Sequence, residues 1–182
     1  MEIDDLLVLN LKGEKVEGIH QVPADADAHK VLYKKFTRIR GIVHTHSFWS
    51  TSWAQAGRSI PCYGTNHADY IYGEIPCTRL LTREEALEGY ELSTGRLIVE
   101  DFVKNKRDYI ATPTVLCKNH GVFAWGTDAG NAVRNAYIVE ECAKMAAMCE
   151  VLNPKARPIP QELQDIYYDH KNGFAALYER IS

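Results

Sequence analysis

A layered α/β domain is the fold the sequence predicts, and three observations predict it. Short apolar runs of strand length are interleaved with longer segments of helical period along the chain. Helix-capping and helix-stopping residues punctuate those segments. The 182 residues, 46% hydrophobic and 25% charged, match one globular domain. A domain of that size buries roughly 70% of its unfolded surface. A single domain over residues 1–182 is therefore expected.

The elements follow in order. Residues 6–11 form an apolar run, Lys12-Gly13 a turn and residues 14–16 a return strand, together a hairpin. A strand so close to Met1 suggests a fold that begins further upstream. Asp25 or Asp27 can cap a helix near 28–38, where Val31, Leu32 and Phe36 have helical spacing. Residues 41–44 read as a buried strand and residues 49–56 as a short helix ended by Gly57. The Pro-, Gly- and Tyr-rich stretch 59–79 reads as loop with short strands. Thr82 and Glu85 make a capping box, and the helix they start is expected to stop at Gly95. Residues 114–118 and 122–125 read as strands around a His120-Gly121 turn. Thr127 is expected to cap the longest helix, 128–152, with a buried stripe of Ile138, Cys142, Met145, Cys149 and Leu152 that Ala136, Val139, Ala143 and Ala146 widen. Pro154, Pro158 and Pro160 stiffen the connection to a last amphipathic helix presenting Leu163, Ile166, Phe174 and Leu177.

Charge and cysteine usage narrow the function classes. Lys and Arg number 21 against 24 Asp and Glu, a net charge of −3, which gives no support for broad nucleic-acid binding. Apolar runs reach about six residues, whereas a membrane-spanning helix needs roughly 18. The acidic start MEIDD lacks the basic opening of a secretion signal. The five cysteines are odd in number and form no CxxC pair, so a disulfide framework is not expected. A reducing, cytoplasmic setting follows.

His44-Thr45-His46 is the sharpest chemical signal. On a strand, residues i and i+2 share a face, so two imidazoles can ligate one ion. His120 adds a third candidate at a strand end, and Gly121 beside it allows close backbone approach. Three imidazoles with a carboxylate or an open position suit a catalytic zinc site. Spacing alone leaves Asp25, Asp27 and Asp69 as candidate carboxylates. Asp69, in the Thr65–Tyr70 cluster, can act as an acid/base group or simply cap a helix. His67 and the cysteines of the long helix read as structural, and Trp49, Trp53 and Trp125 as core or contact residues.

The strings GIVHTHS, WAQAG, IP, GT-HADY, YG and IPCTR between 41 and 79 closely resemble the L-ribulose-5-phosphate 4-epimerase family, within the class II aldolase/epimerase superfamily. HGVFAWG at 120–126 and AVRNAYIVEECAKMA at 132–146 look like its later motifs. The resemblance implies a three-layer α/β/α domain with a mainly antiparallel central sheet, here N-terminally shortened. It implies one zinc per subunit held by Asp25, His44, His46 and His120, with Asp69 and Tyr178 as the two catalytic acid/base groups and Thr65 at the substrate. Tyr178 would come from a neighbouring subunit of a homotetramer. The implied reaction interconverts L-ribulose 5-phosphate and D-xylulose 5-phosphate by retro-aldol cleavage and re-addition, as in arabinose catabolism. The rival readings are a class II sugar-phosphate aldolase and an inactive metal-binding oligomeric fragment. Two serines that grip phosphate in the family are Pro23 and Ala24 here, and a histidine of its final helix is Tyr167, so the phosphate site reads as depleted.

Overall fold

The computed structural model describes residue 2 and residues 5–173. Among them the chain divides into two compact units, Met1–Ile39 with Leu81–Lys106, and Arg40–Leu80 with Arg107–Ser182.

The first unit opens with the expected hairpin. Strands β1 (Val8–Leu9) and β2 (Lys15–Glu17) pair antiparallel, and Gly13 takes the left-handed φ of +93° in the turn between them. Helix α1 (Ala26–Lys35) has Asp25 at its N-cap position, with no side-chain capping bond. Helix α4 (Arg83–Lys104) starts at the Thr82–Glu85 capping box, whose two reciprocal bonds are 2.8 and 3.2 Å.

Gly95 does not end α4. The helix continues nine residues to Lys104, and its break is at Gly89, where φ is 149°. Gly95 is instead a packing residue: a Cβ there would stand 2.9 Å from the Ala28 carbonyl oxygen. Its bare backbone lets α1 and α4 approach closely. A glycine read as a helix stop was a glycine needed for contact. Phe36 and Phe102 complete this small core with ring centroids 5.4 Å apart.

The second unit is built on a three-stranded antiparallel sheet in the order β3-β5-β4: β3 (Gly41–Thr45), β5 (Val122–Gly126) and β4 (Thr114–Leu116). The central strand β5 is buried along its whole length, which explains its unbroken apolar run. Its register sets His44 opposite Phe123 and Thr45 opposite Val122. Helix α2 (Phe48–Ala56) follows directly from β3 and ends at Gly57 in the left-handed region, as expected. The 59–79 stretch folds as loop with isolated bridges Ile60–Ile75 and Cys77–Leu116 and the single-turn helix α3 (Thr65–Ala68). The last two elements are α5 (Ala129–Leu152) and α6 (Gln161–Asn172).

Two expectations for α5 are corrected. Its cap is Asp128, which accepts from the Asn131 backbone N–H at 2.7 Å, rather than Thr127. Its buried face keeps Val139, Cys142, Ala143 and Ala146 of the expected stripe and adds Ala132 and Asn135, while Met145 and Leu152 of that stripe are exposed. Small side chains bring the helix close to the sheet and to α2, so the long side chains turn outward. The core here joins Trp53, Ile60, Ile71, Ile75, Leu116 and Val122 to that face. Trp125 is wholly buried, and its indole N–H donates to the Tyr109 carbonyl at 2.7 Å.

Helix α6 also departs from expectation. Leu163 and Ile166 face solvent, at 36% and 62% exposure, and Gln164 is the buried residue of the helix. Phe174 and Leu177 lie outside the described residues.

Candidate active site

Three histidines converge in the second unit. His44 is in β3, His46 just past its end, and His120 in the turn between β4 and β5. One ligand nitrogen from each lies within 4.8 Å of the others. The rings meet edge to face, with centroids 4.7 to 5.0 Å apart.

The local chain explains the convergence. The β3–β5 pairing stacks the His44 ring on Phe123, 4.1 Å between centroids. The His44 Nδ1 lies 3.0 Å from the Val122 carbonyl oxygen. A carbonyl only accepts, so Nδ1 carries the hydrogen and Nε2 keeps a lone pair for a ligand. The tight turn before β5 is closed by the Cys117 N–H to the Gly121 carbonyl at 2.8 Å and the His120 N–H to the Cys117 carbonyl at 2.9 Å. Asn119 supplies its left-handed residue, φ 60°, a conformation asparagine tolerates. Gly121 then passes against the cluster: a Cβ there would stand 2.5 Å from His46 Cδ2 and 2.6 Å from the Thr45 carbonyl oxygen.

Glu140 of α5, which sequence reasoning missed, organises the turn that follows His46. Its carboxylate accepts from Ser47 Oγ at 2.7 Å, from the Trp49 N–H at 2.8 Å, and from the Ser50 N–H and Oγ at 2.9 and 2.7 Å. It therefore caps α2, a task Ser47 leaves undone. Burial pushes the Glu140 carboxyl up, but these donors outweigh it and hold the group below its ordinary value. A carboxylate on a helix flank ninety residues away gives no local sequence signal for such a cap.

The other candidates are distributed as follows. Asp69 is the C-cap residue of α3 and is half-buried, and Thr65 opens α3, exposed, at the rim of a cavity of about 170 Å³. His67 is 5% exposed and bonded to the Gly73 carbonyl. Burial pushes its imidazole down to about 4, so it is neutral at pH 7 and serves the structure. Asp25 belongs to the first unit and is exposed. Tyr178 lies outside the described residues. Cys142 is buried, and burial raises its thiol to about 12, in keeping with a packing role.

A sequence profile for the class II aldolase and adducin N-terminal domain matches residues 1–147. The chain belongs to that family. An L-ribulose-5-phosphate 4-epimerase UlaF from Salmonella paratyphi C (strain RKS4594) is 43% identical over 178 residues, covering 98% of this chain and 77% of the relative. Among solved structures, an L-fuculose 1-phosphate aldolase superposes with a TM-score of 0.74 at 20% identity, over 93% of this chain and 73% of that one. A second L-fuculose 1-phosphate aldolase, from Glaciozyma antarctica PI12, gives 0.67 at 16% identity over 100% and 68%. The fold is thus the α/β fold of the class II aldolases, and the family profile runs through residues of both compact units.

For a class II aldolase-family member, the donor set suits a divalent metal. Three imidazoles, one with its tautomer set by a backbone carbonyl, reach toward one point from two adjacent antiparallel strands. The Gly121 surface against His44 and His46 is a cradle that a side chain would fill.

Proposed function

We propose that the chain is a zinc-dependent isomerase that interconverts L-ribulose 5-phosphate and D-xylulose 5-phosphate by retro-aldol cleavage and re-addition. The observation that carries this reading is the convergence of His44, His46 and His120 in a chain 43% identical to an epimerase of that name. The three histidines would hold one zinc per subunit, with Asp25 as the carboxylate ligand. When bound, such an ion supplies Lewis-acid polarisation of a substrate carbonyl.

The chain's own groups handle the protons. One acid/base group takes the proton from the C4 hydroxyl, the C3–C4 bond breaks, and an enediolate and an aldehyde fragment form. The aldehyde turns its other face, re-adds, and the new C4 alkoxide takes a proton from the second group. Inversion needs the two groups on opposite faces of C4, and we assign them to Asp69 and Tyr178. Tyr178 would be supplied by a neighbouring subunit of a homotetramer, and Thr65 would contact the substrate. With Pro23 and Ala24 in place of hydroxyl side chains, the grip on the phosphate is weaker and the KM for the phosphate ester higher. No described helix is long and apolar enough to cross a membrane, and the assigned setting is the cytoplasm.

Coupled turnover of L-ribulose 5-phosphate with and without a chelator tests the reading. The expected result is D-xylulose 5-phosphate formation that a chelator abolishes and zinc restores. Net release of free aldehyde would instead make the chain an aldolase, and metal binding without turnover of either pentulose phosphate would reject the epimerase. Asp69→Asn is expected to lower kcat by about 10²–10⁴-fold, the range for loss of a general acid/base, with metal content unchanged by elemental analysis.

A further inference from the structure

We propose that Asn172 is a positioning residue for Asp69, holding the segment that carries it against the end of α6. The inference rests on the reading of Asp69 as an acid/base group. Asp69 ends a single-turn helix, too short to fix its own last residue, and its N–H donates to the Thr65 carbonyl at 2.8 Å. The Asn172 amide Nδ2 bridges outward from α6, donating to the Asp69 carbonyl at 2.8 Å and to the Tyr168 carbonyl at 3.0 Å.

The rest of α6 has the same purpose. Gln164 Nε2 donates to the Gly73 carbonyl at 3.2 Å, and the Tyr72 hydroxyl donates to Asp165 at 2.7 Å. Gln161 Nε2 donates to the Tyr72 hydroxyl oxygen at 3.0 Å, and the Tyr168 ring meets Tyr72 with centroids 5.2 Å apart. Positions 161, 164, 165, 168 and 172 share one helical face. That face is polar where an ordinary docking helix would bury aliphatics, and the aliphatics Leu163 and Ile166 are outside. A helix that turns its polar side to a loop of five residues is built to set that loop's geometry, and Asn172 is its point of contact with Asp69.

The test uses the full chain loaded with zinc. Asn172→Ala is expected to lower kcat roughly tenfold, the scale on which groups that orient catalytic residues act. KM, zinc content and the melting temperature should stay near the unsubstituted values. Asn172→His, which keeps an N–H at the same distance from the backbone, should recover part of the loss. In an Asp69→Asn background, Asn172→Ala should change the residual rate less than twofold, because two groups acting as a unit are not additive. If Asn172→Ala leaves kcat unchanged, or if its effect is undiminished in the Asp69→Asn background, the positioning role is rejected. If Asp69→Asn itself retains full activity, the reading of Asp69 fails first, which is a separate result.

Discussion

Gly121→Ala is expected to strip the protein of its metal and of at least 10²-fold in kcat/KM while the chain still folds. The new methyl would lie 2.5 Å from His46 Cδ2, 2.6 Å from the Thr45 carbonyl oxygen and 3.2 Å from His44 Cε1. Carbon atoms are comfortable at about 3.5–4.0 Å, so something must move. The Thr45 carbonyl belongs to a strand paired with Val122 and cannot retreat without opening the ladder. The His46 side chain, exposed at the strand end, is the softer neighbour and is pushed off the convergence point. Overpacking of this kind costs about 1–3 kcal/mol, a modest fraction of stability, but the histidines lose their common focus. Elemental analysis and a melting curve read the two effects separately. A Gly121→Ala protein that binds a divalent metal as fully as the parent and turns over normally would disprove the crowding.

What the sequence made legible was what local chemistry controls. The Thr82–Glu85 box, the Gly57 stop and the Gly13 turn each arise within a few residues, and each stands where it was read. The histidine pair was legible because a strand places alternate residues on one face, and His120 because a turn and glycine marked its position. Apart from the α5 cap, which falls one residue further on at Asp128 rather than Thr127, the departures come from packing. Gly95 looks like a helix stop in the sequence because no local rule distinguishes a stop from a contact surface for Ala28. On α5 the expected stripe holds at Val139, Cys142, Ala143 and Ala146, but close approach of helix and sheet turns its large members Met145 and Leu152 outward. On α6 the aliphatic spacing was real but pointed outward, and the buried side was defined by hydrogen bonds to Gly73 and Tyr72 that only the fold creates. Glu140 was invisible for the same reason, since its partners Ser47 and Ser50 lie about ninety residues away in sequence.

Glu140→Ala is expected to be strongly destabilising, costing about 3 kcal/mol. The carboxylate satisfies two backbone N–H groups of the first turn of α2 and two serine hydroxyls, and alanine would leave all four without it. For a chain of this length that corresponds to a fall in melting temperature of roughly 6–12 °C. Glu140→Gln should lie between, because its amide oxygen still accepts while its NH₂ meets donors. The acid limb separates charge from shape. The donors hold the Glu140 carboxyl below its ordinary value in the folded state, so its contribution is present above the unfolded carboxylate range and is lost as pH falls through the lowered folded value. The stability gap between the parent and Glu140→Gln should therefore be full near pH 7 and shrink below about pH 4. Chemical denaturation at a series of pH values measures it, and a gap independent of pH would show that the cap works through shape alone. Because Ser47 is the next residue after His46, the loosened turn should also weaken binding of a divalent metal, so a Glu140→Ala protein that loses stability but binds the metal as tightly as the parent would separate the cap from the histidine cluster it follows.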